Sequence, residues 1–407
     1  MTDTLAAVPP KLFHAPSHEP LAGRAWSEDA ARSAIAAICA DAEAAFDPQT
    51  LWPAHPLDEE KGELPSPVTI YLGACGVIWA LDALARAGLV TLSSSWAGVA
   101  AALPDRYLAR PDVPELTGGR PVPSLLAGES GVLLVAQRLA PAPEHVERML
   151  ACVRANVTNP TRELLWGSPG TALAAQLMLE MTGDERLVDA WRESADWIWD
   201  EWQDGLWMQD MYGSRCRYIG PGHGFAGNVH VLARGDLLDA ERRAELERRS
   251  LETLRRFVIR DGDLAQWQPT DDPASVTATT RTQWCHGAPG IVCSFAPIAR
   301  GNAELTELLV AGGELTWRAG PLAKGPGLCH GTAGNGYAFL KLLDRTGDER
   351  WLPRARAFAM HAAGQVERAR AQHGQGRYSL WTGDVGAALF LASCIRVDPA
   401  MPVLDTI

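Results

Sequence analysis

Two stretches of this chain carry residues that could hold a metal ion and put it to work. One reads Trp284-Cys285-His286-Gly287-Ala288-Pro289-Gly290, and the other Leu328-Cys329-His330-Gly331-Thr332-Ala333-Gly334-Asn335. Each sets a thiol and an imidazole ahead of a Gly-x-x-Gly step and an apolar run. Thiolate and imidazole are borderline-soft ligands of the kind zinc prefers. The two halves lie too far apart in sequence for a small zinc finger. Three ligands, Cys285, Cys329 and His330, drawn from two helix starts would leave one coordination position open, as catalytic zinc sites do. Taken singly, either half reads more simply as a helix-start loop with an incidental Cys and His. The near-duplication favours a shared Zn2+ ion.

Other titratable residues fall near the same positions. Cys285, Cys329 and His330 stand one or two residues before their helix glycines, where the partial positive charge of a helix N-terminus and a metal ion both favour thiolate. An open metal position could take water, or a substrate thiol that a free pKa of about 8.5 would otherwise leave mostly protonated. His223, in Gly222-His223-Gly224, occupies the equivalent position of an earlier repeat and suits a general acid or base. A fourth ligand and a structural histidine are its alternatives. His286 is set either to donate to substrate or to pack. Arg281 is placed to stabilise developing negative charge, or is a solvated loop residue. Lys324 could meet a substrate carboxylate, or is a surface lysine. Two further signals are discounted. Gly222-x-Gly224-x-x-Gly227 fits a dinucleotide fingerprint, but no apolar strand precedes it and Pro221 interrupts the approach. Cys293 falls inside a helix and reads as a core thiol.

The elements that must position these groups repeat. A Gly-x-x-Gly step followed by an apolar run begins at Gly73, Gly128, Gly167, Gly224, Gly287, Gly331 and Gly383. Runs such as Ala172-Leu173-Ala174-Ala175-Gln176-Leu177-Met178-Leu179 are apolar on all sides, the pattern of a buried helix. Amphipathic segments alternate with them, at about 27–46, 92–109, 144–156, 184–202, 239–260, 303–318 and 348–370. Thr-Gly-Asp-Glu-Arg recurs at 182–186 and 346–350, with Gly suited to a left-handed helix end and Asp to the next N-cap. Strand-period alternation is scarce. The expected fold is all-α, an α/α toroid of seven inner helices ringed by seven outer ones. It forms one domain over 1–407, with 1–64 as N-terminal extension and first outer helix. Glycines at the inner-helix starts would let the converging N-termini approach closely.

Composition sets bounds on partners. A net charge of -12 argues against nucleic acid and anionic membrane surfaces, which call for basic patches. No apolar run is long enough to span a bilayer, and no secretory signal opens the chain. Eight scattered cysteines form no disulfide framework, so a reduced, cytoplasmic setting is expected.

With its seven Gly-x-x-Gly steps, the His-Gly of the fourth, Trp-Cys-His-Gly-Ala-Pro-Gly of the fifth and Cys-His-Gly-x-Ala-Gly-Asn of the sixth, the chain resembles the lanthionine synthetase C (LanC) family from about residue 65 onward. Trp284 to Gly290 and Gly325 to Gly331 are more similar to the LanC-like proteins associated with glutathione than to lantibiotic cyclases. The resemblance implies a toroid with one zinc on Cys285, Cys329 and His330, and addition of a thiol to dehydroalanine or dehydrobutyrine to form a thioether. It also implies that His223 handles the enolate proton, that Arg281 matches a cyclase arginine and that Lys324 lies where a lysine is linked to glutathione binding. The thiol would be glutathione or a peptide cysteine, and a separate dehydratase or kinase would supply the dehydroamino acid. Ser124 stands where cyclases carry an aspartate, which weakens the case for peptide cyclisation. A zinc prenyltransferase-like barrel and a non-catalytic glutathione- or peptide-binding scaffold with structural zinc are the alternatives.

Overall fold

The computed structural model describes residues 12–58, 66–272 and 280–407. The N-terminal residues 1–11 of the expected extension, and its residues 59–64, lie outside them. Seven buried helices form the inner ring: Ala74–Arg86, Glu129–Leu139, Ser168–Thr182, Phe225–Ala233, Ala288–Phe295, Thr332–Thr346 and Asp384–Arg396. Each packs on the next, and the seventh packs on the first, so the ring closes. The outer helices are Glu28–Ala44, Ala97–Ala109, Pro143–Asn156, Arg186–Asp200, Ala240–Phe257, Ala303–Ala319 and Trp351–His373. The first of these packs on the last inner helix and on the last outer one, which joins the two ends of the repeat series.

The two layers differ as their sequences require. In the third inner helix every residue from Ser168 to Met178 is buried, whereas the fifth outer helix buries only Leu246, Ser250, Thr253 and Leu254, a single stripe. Both Thr-Gly-Asp-Glu-Arg junctions place their glycines as expected, but the N-caps of the helices that follow are Glu185 and Arg350, one and two residues beyond the expected Asp184 and Asp348. Gly183 and Gly347 end their helices at φ +70° and +67°, and the carboxylates of Asp184 and Asp348 accept from the backbone N–H groups of Arg186 and Arg350.

Two further features depart from the sequence expectations. The helix expected over 239–260 ends at Phe257, and Val258–Asp261 pairs with Leu264–Trp267 as a hairpin. A second small hairpin joins Gln209–Met211 to Ser214–Cys216. Short strands closed by two-residue turns carry too little alternation to stand out in a helical sequence. The second departure concerns the glycines. In every repeat a Cβ on the second glycine of the step would strike the carbonyl of the residue six positions upstream, Trp284 for Gly290 and Leu328 for Gly334 among them. The nearest atom belongs to each repeat's own rim loop folding back on its helix, and neighbouring rims also press in as expected, Pro221 on Gly290 and Leu380 on Gly76 among them.

Candidate metal centre

Each inner helix is preceded by a rim loop, and the loops are tied to one another through one equivalent position, the second residue before the first glycine. The N–H of Gly222 donates to the carbonyl of Cys285 at 3.3 Å, that of Cys285 to Cys329 at 3.1 Å, and that of Cys329 to Trp381 at 2.9 Å. Trp381 then donates to Tyr71 at 3.2 Å, and Tyr71 to Leu126 at 3.0 Å. These bonds satisfy buried backbone donors, and they fix Cys285 beside Cys329 although the two belong to different repeats. The run stops at the third repeat, where the N–H of the equivalent Leu165 turns to the side chain of Glu163 instead.

The ladder brings the expected ligands together. One ligand atom from each of Cys285, Cys329 and His330 lies within 4.8 Å of the other two. Both thiols are buried and His330 is half-buried, so one side of the cluster faces outward. Gln283 Nε2 donates to Cys285 Sγ at 2.9 Å. Burial alone would raise the Cys285 pKa, but its hydrogen bond with Cys329 and the nearby His286 and His330 pull it well below the usual thiol range. The hydrogen bond to Cys285, followed by burial, drives Cys329 the opposite way. Two clustered thiols sharing one proton, with two imidazoles at hand, make a donor set suited to a zinc ion. Beneath them Trp284 and Trp381 pack with ring centroids 4.8 Å apart, and Tyr71 stacks on Trp381.

His223 stands next to this cluster. Its Nδ1 donates to Glu163 Oε2 at 3.1 Å, and its ring centroid lies 5.8 Å from that of His286. Glu163 is fully buried and also accepts the backbone N–H groups of Leu165 and Trp166 at 2.8 and 2.6 Å. Burial disfavours a charged His223, yet the hydrogen bond and charge of Glu163 outweigh it and leave the pKa above its ordinary value. With Nδ1 engaged, Nε2 is the atom free to exchange a proton. His286 is buried, and desolvation takes its pKa down to about 4, so it is neutral near pH 7. Arg281 is exposed on the loop before Cys285, close enough for its charge to oppose protonation of both histidines. Lys324 is exposed on the sixth rim loop, where its charge favours thiolate at Cys329. The same loop is bridged to the N-terminal extension through His18 and Leu322. Cys293 is buried within the fifth inner helix, away from the rim.

Several residues of this site escaped the sequence reading. Tyr71 could have been found, because it holds in the first repeat the position that Cys285 and Cys329 hold in the fifth and sixth. Glu163 carried no clear signal, since it follows Thr158, Asn159, Thr161 and Arg162 in a largely polar loop. It supplies the carboxylate beside His223, while Ser124 is buried against Gly128. Tyr212 and Tyr218 are brought within 6.0 and 5.7 Å of the His223 ring by chain folding alone.

Comparisons with known proteins bear on the family and the fold. A family model described as lanthionine synthetase C-like protein matches residues 65–405. Glutathione S-transferase LANCL1 of Danio rerio is 30% identical over 186 residues, which is 44% of this chain and 43% of that protein. The LanC-like protein GCL1 of Arabidopsis thaliana is 35% identical over 127 residues, 30% of this chain and 28% of that protein. The matched stretches thus span less than half the length of these curated relatives. Nisin cyclase has the same helical toroid, with a TM-score of 0.58 at 16% identity, covering 81% of this chain and 88% of that one. No helix among the described residues is long and apolar enough to cross a membrane. A match over residues 65–405, on a closed ring of seven inner helices, makes this chain a member of the lanthionine synthetase C-like family.

Proposed function

We propose that this protein is a zinc-dependent thioether-forming enzyme that adds a thiol, from glutathione or a peptide cysteine, to dehydroalanine or dehydrobutyrine. The observation that carries the reading is the meeting of Cys285, Cys329 and His330 at one outward-facing cluster beside a histidine held by a buried carboxylate. Bound there, zinc would supply the Lewis acidity that keeps an incoming thiol ionised near neutral pH. Sulfur then bonds to the β-carbon of the acceptor, the C=C bond opens, and the α-carbon takes up one proton. His223 is the residue we assign to deliver it, because Glu163 both fixes its orientation and favours its protonated form. His286, uncharged and buried, is suited to a neutral hydrogen bond to the acceptor carbonyl. Arg281 would stabilise the enolate charge, and Lys324 would meet a carboxylate of the thiol substrate.

The test is incubation of the purified protein with glutathione and a dehydroalanine peptide, with and without a chelator, read by mass spectrometry. A thioether adduct should form and should disappear when zinc is removed. Adduct formation at equal rates in both samples would overturn the zinc reading.

A further inference from the structure

The rim ladder is interrupted at the third repeat, and a groove lies there. Leu116, Val122, Pro123, Trp166, Met211 and Tyr212 are among its lining residues, and its volume is about 460 Å³. That size falls in the range of ligand pockets, roughly 300–1,000 Å³. Its walls are mainly apolar. Leu116 is 46% exposed and Tyr212 55%, two of the six large apolar side chains that stand exposed among the described residues. Exposed apolar side chains gathered in one depression mark a binding surface more often than scattered ones do.

Tyr212 stands between the groove and His223, although neither His223 nor the candidate ligands line the groove themselves. Trp166 Nε1 donates to the Tyr212 hydroxyl at 2.7 Å, and the Tyr212 ring meets His223 edge-on at 6.0 Å. Tyr212 and Gly213 form the two-residue turn of the first hairpin, at φ +53° and +73°. Such turns favour Asn or Gly, and an aromatic residue there costs on the order of 1 kcal/mol. The hairpin therefore presents an aromatic ring at the one place where the groove and His223 share a wall.

We infer that this groove seats the acceptor polypeptide, as an extended segment with a large apolar or aromatic side chain a residue or two from its dehydroamino acid. The inference rests on the thioether-forming reading and adds to it a seat for the residue that flanks the reacting position. A peptide lying between the second and third rim loops would pass Tyr212 and bring its next residues to His223 and Cys285. Glu115, Thr117, Asn159 and Thr161 also line the groove, but its larger apolar surface favours an apolar or aromatic flanking residue over a polar one.

Two labelled peptides test it, each with alanine in place of dehydroalanine so that no reaction occurs, one with Phe beside that position and one with Ser. By fluorescence anisotropy the Phe peptide should bind about tenfold more tightly or better, the scale of burying one aromatic side chain. L116D, and the milder L116Q, should erase that preference, whereas L108D, at an exposed leucine outside the groove, should keep it. Equal binding of the two peptides, or an intact preference in L116D, would overturn the inference. So would displacement of the Phe peptide by glutathione, which would make the thiol substrate the occupant. The dehydroalanine versions, supplied with glutathione and zinc, separate the two readings. A binding preference without any thioether would sink the enzymatic reading alone, and thioether formation without a preference would sink the groove alone.

Discussion

His223 precedes the fourth inner helix, and His230 lies within it, seven residues further on or about 10 Å along the axis. Each faces a carboxylate from a distant part of the chain, Glu163 at 3.1 Å and Asp405 at 3.6 Å. Burial opposes the charged form of both. At His223 the carboxylate prevails and the pKa rises; at His230 it does not, and the pKa falls. Burial is the largest cause at both, and the difference lies in what opposes it. His223 hydrogen-bonds Glu163, whereas His230 Nε2 and Asp405, 3.6 Å apart, make no hydrogen bond, so Asp405 acts on His230 through its charge alone. Lys341, which donates to Asp405 at 2.7 Å, lowers the His230 pKa further, while among the described residues Glu163 pairs with no lysine or arginine. Equivalent residue types thus make a histidine that favours its proton at the mouth and one that disfavours it at the far end, where the C-terminal segment docks.

The largest effects should confine themselves to the mouth. C285A, C329A and H330A should each lower bound zinc, measured by plasma emission spectrometry, and reduce thioether formation by more than the roughly 10–100-fold that loss of an outer-shell partner costs. K341M should leave the metal content unchanged. Zinc retained at full stoichiometry in C329A would break the comparison at its strongest point.

H223A should keep its metal but lose on the order of 100- to 10,000-fold in turnover, the usual contribution of a positioned acid or base. E163Q should fall between H223A and the parent, because the glutamine still holds Nδ1 but no longer favours a proton on the ring. The corresponding change at the far end, H230Q, should leave turnover alone. If H223A matches the parent in rate, the assignment of roles at the two ends is wrong.

At the far end the cost is stability. K341M leaves the half-buried Asp405 without its cation; breaking a fully buried pair costs about 3–5 kcal/mol, and the loss here should be a part of that. Its melting temperature should drop while turnover at low temperature holds. The K341M/D405L double variant should regain much of the loss, since an apolar pair of similar volume often replaces a buried ion pair at no cost.

This contrast also shows what a sequence can and cannot disclose. The alternation of buried and amphipathic helices, the glycine steps and the three ligand positions are local patterns, and the fold follows them closely. Cys285, Cys329 and His330 were legible because they repeat a motif at a fixed place in each repeat. Glu163, Lys341 and Asp405 were not, because each matters only for what a distant loop or the C-terminal segment brings against it. Tyr212 is a sharper case: an aromatic residue at a turn position that ordinarily takes Asn or Gly gives no sign in the sequence of a hairpin at all. Charges inside a helical ring are read from the partners they meet, and those partners come from sixty or more residues away.

The smallest effect is also the most direct comparison of the two histidines, because it depends on sign alone. A histidine whose pKa rises on folding binds its proton more tightly in the native state. The stability it contributes is complete below about pH 6.5 and is lost as pH rises through the raised value. For a histidine whose pKa falls, the unfolded chain holds the proton more tightly, so its contribution is present above about pH 6.5 and is lost as pH falls below that point. The melting temperature of the parent relative to H223Q should therefore decline between about pH 6 and pH 8, and relative to H230Q it should increase over the same interval. Asp405, whose pKa is lowered by Lys341 and His230 against the effect of burial, titrates in the acid range and leaves this window undisturbed. Differential scanning fluorimetry at matched zinc occupancy reads both slopes. Slopes of the same sign would mean that Asp405 outweighs burial at His230 as Glu163 does at His223, and that the two ends of the helix are electrostatically alike.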